Sequence, residues 1–170
     1  MENKYRVLVV DDDRILTAVF AEGLKTSGYT CRTVSSGAAA LALLKEESFD
    51  VMVTDLIMPG MDGFVLTRAA KALVPEMAII MMTGFEQEES YDLAISAGAA
   101  DFIKKPFTIG ELTARIDRVL RDSRILSEIR KKQQEVRDIS REMIEGIQEE
   151  SMGRISSLEQ EIVELRKKLK

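Results

Sequence analysis

Histidine is absent from this 170-residue chain, and cysteine occurs once, as Cys31. Without histidine there is no Ser-His-Asp catalysis, no histidine-ligated metal and no histidine phosphoacceptor on this chain. A single cysteine allows neither an intrachain disulfide nor a cysteine-cluster zinc site. Long apolar runs are also missing. The run at 38–44 is far short of the ~20 residues that span a bilayer. The opening Met-Glu-Asn-Lys-Tyr-Arg lacks the apolar core of a signal peptide. A cytoplasmic protein with no membrane partner is the expectation. Basic charge is in deficit as well. The chain has 24 Lys and Arg against 29 Asp and Glu, a net charge of −5, which disfavours generic binding to a nucleic-acid backbone.

What is present is divided unevenly. At 45% hydrophobic and 31% charged residues, the composition fits a folded domain with an appendage. Residues 1–120 carry 12 Lys or Arg and 18 Asp or Glu, whereas 121–170 carry 12 and 11. All three prolines (Pro59, Pro75, Pro106), all three tyrosines and all six phenylalanines lie in the first part. The second part has only Ile, Leu, Val and Met spaced among charges, the composition of a long helix.

In the first part, short apolar runs alternate with helical patterns. Strands are expected at 5–10, 30–34, 51–54, 77–82 and 101–104. Helices are expected near 14–26, stopping at Gly28, and at 37–47, 64–73, 88–97 and from Thr108 onward. Thr108 with Glu111 three residues later has the form of a capping box. Five strands alternating with five helices imply an α/β fold, a parallel sheet covered on both faces. In such a sheet ligands bind beyond the carboxyl ends of the strands. Asp11, Asp12 and Asp13 follow the first strand, Asp55 the third, Thr83 the fourth, and Lys105 with Pro106 the fifth.

Carboxylates converging from two strands repel, and a cation relieves that repulsion. An oxygen-rich site of this kind suits Mg²⁺, which keeps several waters and engages phosphate. A lysine and a threonine hydroxyl could steady an anion with three oxygens. Together these groups look like a phosphoryl-transfer site in which one carboxylate is the nucleophile.

The same residues carry a family resemblance. Val-Leu-Val-Val-Asp-Asp-Asp at 7–13, Asp-Leu-Ile-Met-Pro-Gly-Met-Asp-Gly at 55–63, Met-Met-Thr-Gly at 81–84 and Gly-Ala-Ala-Asp-Phe-Ile-Lys-Lys-Pro-Phe at 98–107 resemble the receiver domain of two-component response regulators. The resemblance covers about 1–121 and leaves 122–170 as a helical tail or linker. It implies a five-stranded, doubly wound, flavodoxin-like sheet of order 2-1-3-4-5 with a long C-terminal helical extension. It makes Asp55 the phosphoacceptor. Mg²⁺ would be held by Asp12 directly, Asp11 largely through water, Asp55, and the backbone carbonyl of Ile57. Thr83 would bond a phosphoryl oxygen. Lys105, preceding the proline, would take the lysine role, aided by the cis Lys-Pro bond usual in the family. Phe102 would be the switch aromatic. The phosphoryl group would come in trans from a sensor histidine kinase or a small phosphodonor.

Several neighbours have plainer readings. Asp13 is a helix N-cap or first-turn acid. Lys104 is a solvated surface charge, Asp62 and Gly63 shape a turn, and Met81 and Met82 are packing. Cys31 is a small half-buried residue, with redox sensing as the alternative. Ile57 and Phe85, two residues beyond Asp55 and Thr83, are large and apolar, and are expected to hinder attacking water and prolong the phosphorylated state. Gly84 leaves room for a phosphodonor or a shifted Thr83.

The fifth helix has no clear stop and could run into the tail. There Val136, Ile139 and Met143, then Ile155, Leu158, Ile162, Leu165 and Leu169, recur three and four apart as heptad seams. Eleven residues from Ile144 to Ile155 would form a stutter between them. Gly146 and Gly153 weaken this stretch by about 1 kcal/mol each. A fully helical 121–170 would extend about 75 Å. Self-association as a homodimer is favoured over folding back on the domain. A parallel pair fits best if the receivers also pair; antiparallel forms, higher oligomers and a helical hairpin stay open. The expected output is protein–protein contact. DNA binding is disfavoured, since Arg130-Lys131-Lys132 and Arg166-Lys167-Lys168 are short basic clusters offset by acids. A truncated chain that lacks its output domain, and a phosphorelay intermediate, are the alternatives.

Overall fold

Strand and helix alternate without exception in the computed structural model, whose backbone is described for residues 5–84 and 89–168, and side chains there other than 89–91 and 168. The order is β1 (Arg6–Val10), α1 (Arg14–Thr26), β2 (Thr30–Val34), α2 (Gly37–Glu46), β3 (Val51–Asp55), α3 (Gly63–Leu73), β4 (Ala78–Thr83), α4 (Glu89–Ala97), β5 (Asp101–Lys104) and α5 (Ile109–Lys168). All five strands are parallel and ordered β2-β1-β3-β4-β5, the flavodoxin-like arrangement. The chain divides into two units, Met1–Arg124 and Ile125–Lys170.

In the first unit, strand periodicity sorts side chains onto two faces. Val7, Val9, Val51, Val53, Ile80 and Ile103 pack with Phe20 and Leu24 of α1 and Leu112 and Ile116 of α5. Leu8, Val10, Met52 and Ile79 point the other way, onto Ala40 and Leu44 of α2 and Leu66 and Ala70 of α3. Both faces are covered, so the inner strands β1, β3 and β4 read as nearly unbroken apolar runs rather than as alternation.

Local chemistry sets the helix ends. The Asp13 side chain accepts the N–H groups of Ile15 at 2.9 Å and Leu16 at 3.1 Å, the N-cap expected of it. The Thr108–Glu111 box forms, with Thr108 N–H to Glu111 at 2.7 Å and Glu111 N–H to Thr108 Oγ1 at 3.1 Å. Gly28, at φ 90°, follows α1 in the left-handed region that a side chain would strain. Asp101, 6% exposed, anchors β5 to α5 through Arg115 at 3.0 Å and Arg118 at 2.7 Å.

Strand limits differ from expectation by one residue where hydrophobicity and pairing diverge. Met77 is buried, but its N–H donates to Val74 rather than to a ladder. Asp55 and Thr83, read as following their strands, are the last paired residues of β3 and β4.

The second unit is helix throughout its described residues. Gly146 and Gly153 both lie inside it, so the helical hairpin is not formed. Each glycine has open space around it and removes no packing. Ile125, Ile129, Val136, Ile139, Met143 and Ile147 are all exposed. Leu169 lies outside the described residues. No described helix is long and apolar enough to cross a membrane.

Candidate functional site

Parallel register brings four strand ends to one edge. Val10 of β1 lies opposite Thr54 of β3, Asp55 of β3 opposite Met82 of β4, and Thr83 of β4 opposite Lys104 of β5. One residue past β1 is Asp11, and one past β5 is Lys105. Asp11 is only 1% exposed. Its Oδ1 accepts the Asp13 N–H at 2.9 Å, and its Oδ2 accepts from Lys105 Nζ at 2.7 Å. The same ammonium lies 3.2 Å from Asp55 Oδ2, so one lysine bridges carboxylates of two strands. Asp55 Oδ1 accepts the Leu56 N–H at 2.8 Å. The Lys105 backbone N–H donates to the Thr83 carbonyl at 2.6 Å, and the Lys105–Pro106 bond is cis.

Asp12 is the exposed member of the group. One carboxylate oxygen from each of Asp11, Asp12 and Asp55 can be chosen so that all lie within 4.8 Å of one another. The donor set is oxygen alone and carries more negative charge than one lysine offsets, which suits a hard divalent cation. Burial raises the Asp55 pKa above the usual carboxylate range, with the Asp11 charge adding to the rise and Lys105 opposing it. Burial pulls Lys105 the other way, but the bond to Asp11 and the charges of Asp55 and Asp11 outweigh it and hold the ammonium above its ordinary pKa. The lysine is therefore a fixed positive charge at neutral pH.

Gly63 does more than shape a turn. A Cβ there would collide with the Asp55 carbonyl oxygen and sit 2.9 Å from Leu56 Cα. Only a glycine lets α3 start this close beneath the site, with Gly63 N–H donating to the Leu56 carbonyl at 2.8 Å. The signal lay in the Met-Asp-Gly loop, where Asp62 caps α3. The Leu56 N–H was also missed, because a backbone donor leaves no mark in residue types.

Thr83 is 2% exposed at the end of β4, and Lys104 is exposed. Phe102 is partly buried against Met81, Ala94 and Ala99. Ile57 is 66% exposed. Phe85 lies outside the described residues. Met81 and Met82 are fully buried packing. Cys31 is buried rather than half-buried, and burial pushes its thiol up to about 11, which leaves it protonated and unreactive.

Residues 7–117 match the response regulator receiver domain. The chain belongs to that family. The receiver is 37% identical over 114 residues to the DNA-binding transcriptional regulator NtrC of Escherichia coli (strain K12), across 67% of this chain and 24% of NtrC. It is 35% identical over 121 residues to the transcriptional regulatory protein RprY of Bacteroides fragilis (strain YCH46), across 71% of this chain and 51% of RprY. The chain thus spans 24% to 51% of the length of these relatives. Among solved structures it is similar to the CheY-like receiver domain protein of Methanospirillum hungatei JF-1, with a TM-score of 0.68 and 30% identity over 71% of this chain and 96% of that one. NtrX from Brucella abortus gives a TM-score of 0.70 and 31% identity, over 74% of this chain and 29% of NtrX.

Proposed function

We propose that this receiver, in the cytoplasm, takes a phosphoryl group onto Asp55 from a histidine kinase or a small-molecule donor in trans. The observation that carries this reading is Lys105 bridging Asp11 and Asp55 beside the open carboxylate of Asp12. An Asp55 oxygen attacks the donor's phosphorus. The new O–P bond forms as the bond from phosphorus to the donor's nitrogen or oxygen breaks, and its electron pair leaves with the donor. Lys105 balances charge on one phosphoryl oxygen, and the Thr83 hydroxyl bonds another. Asp11 keeps the ammonium placed. Mg²⁺, held by Asp11, Asp12, Asp55 and the Ile57 carbonyl, would supply the charge neutralisation that brings an anionic donor to a carboxylate.

The phosphoryl group adds close to two negative charges. Thr83 and Lys105 move toward it, and Phe102 turns into the space behind Thr83. The surface of α4, β5 and the start of α5 changes with them. In this reading 1–121 receive the signal and 122–170 pass it on by protein contact. The test is a phosphate-affinity gel with acetyl phosphate and Mg²⁺. Wild type shifts and Asp55→Asn does not; uptake by Asp55→Asn at the wild-type level overturns the reading. Ile57, exposed at the rim, slows the attack of water. An Ile57→Asn, Phe85→Glu pair then loses its phosphoryl group several-fold faster in a chase, and equal lifetimes overturn that role.

A second reading is favoured by the names of NtrC and RprY, both transcriptional regulators: the receiver governs a DNA-directed output in a longer protein. Salt-dependent retardation of DNA by the protein would support it.

A further inference from the structure

The tail leaves its apolar residues uncovered in a regular order. Ile155, Leu158, Ile162 and Leu165 are between 50 and 59% exposed and recur three, four and three residues apart on one continuous helix. They occupy heptad positions a, d, a and d. Both a positions hold β-branched isoleucine and both d positions hold leucine, the combination that favours two parallel strands over three or four.

Charges beside the seam select the partner. Arg154 and Glu161 occupy g positions, and Glu159 and Arg166 occupy e positions. In a parallel pair, each g residue faces the e residue five positions on in the other helix. Arg154 then meets Glu159, and Glu161 meets Arg166, in both directions across the pair. Every flanking contact joins opposite charges. An antiparallel pair centred on the same seam sets Glu159 on Glu159 and Glu161 on Glu161.

In the earlier stretch only the flanking charges favour this orientation, since its d positions are Lys132, Ile139 and Gly146. With Ile129, Val136 and Met143 at a, the g positions are Glu128, Glu135 and Glu142. Antiparallel alignment of two such stretches lays glutamates against glutamates. Parallel alignment lays them against Gln133, Ser140 and Ile147, where nothing repels them.

We infer that residues 154–166 form one strand of a parallel, in-register, two-stranded coiled coil whose other strand is a second copy of this chain. The inference concerns the tail alone and holds whether or not Asp55 takes a phosphoryl group.

The experiment uses the full unphosphorylated chain. Sedimentation equilibrium gives a dimer for the wild type. Glu159→Arg with Glu161→Arg makes all four flanking residues positive, and Arg154→Glu with Arg166→Glu makes all four negative. Each variant alone sediments as a monomer. Their mixture forms a heterodimer that binds at least about tenfold tighter than either self-pair, a difference of about 1.4 kcal/mol. Orientation is read from single spin labels at Gln148→Cys and Gln160→Cys in a Cys31→Ala chain. A parallel in-register pair gives matching short separations at both sites. An antiparallel pair centred on the seam keeps the labels at 160 close and moves those at 148 apart by about 36 Å. A monomeric or trimeric wild type, reversed variants that dimerise alone, or a long separation at 148 overturns the inference.

Discussion

Ile116 and Ile139 lie on the same helix, yet one is wholly buried and the other is 52% exposed. The difference separates the two units of the chain. In Met1–Arg124 the apolar stripe of α5 lies on a parallel sheet and shares its core with α1. In Ile125–Lys170 an apolar stripe of similar spacing has no such cover and leans on local pairs such as Lys132–Glu135 at 2.7 Å and Lys167–Glu164 at 2.8 Å. Exposed pairs of that kind contribute only about 0.3–0.5 kcal/mol each. Helix formation in the first unit is therefore secured by tertiary burial. In the second it rests on intrinsic propensity and on whatever covers the stripe.

The comparison breaks most readily at those two isoleucines. Ile116→Ala is expected to destabilise the first unit by about 2–5 kcal/mol in urea unfolding, through lost transfer energy and a cavity. Ile139→Ala, made in the monomeric Glu159→Arg, Glu161→Arg chain, is expected to change stability by no more than about 0.5 kcal/mol. A comparable loss at both would mean that the tail has its own buried core. The glycines sharpen the contrast on a smaller scale. Gly63→Ala forces a Cβ into the Asp55 backbone, which is expected to destabilise by about 1–3 kcal/mol and lower phosphoryl uptake together. Gly146→Ala meets nothing within 4 Å and is expected to stabilise the helix by about 1 kcal/mol, seen as increased helical ellipticity on warming.

The smallest effect lies at the start of α5. Bonds from Thr108, its backbone N–H first and its hydroxyl second, hold the Glu111 carboxyl below the usual range. A depressed acid contributes stability that is present above its unfolded pKa, about 4.3, and is lost as pH falls through its folded value. The gap in melting temperature between wild type and Glu111→Gln should thus be open at pH 7 and narrow as the pH falls below the unfolded value. A gap that widens in acid would contradict the capping role.

Much of this was legible in the residues. The bounds of α1, β2 and β5 agree with the expected ones, because a cap or a glycine marks the ends and the apolar runs are short. Bounds slipped at Met77 and Thr83, where apolarity says what is buried but not which N–H joins a ladder. Asp11, Asp12, Asp55 and Lys105 were legible as strand-end groups. Gly63 was legible only as a turn residue, because a missing Cβ matters only when other backbone approaches it.

The amino-acid order alone determined the alternation of strands and helices, the gathering of acids and a lysine at strand ends, and the uncovered seam of the tail. These follow from local periodicity and from the rule that parallel strands share one carboxyl edge. Only the tertiary structure decided that one ammonium bridges Asp11 and Asp55, that Asp11 is sealed while Asp12 stays open, and that α3 starts against the Asp55 carbonyl. Those outcomes depend on strand register and side-chain direction across segments far apart in sequence, which a short-range pattern does not encode.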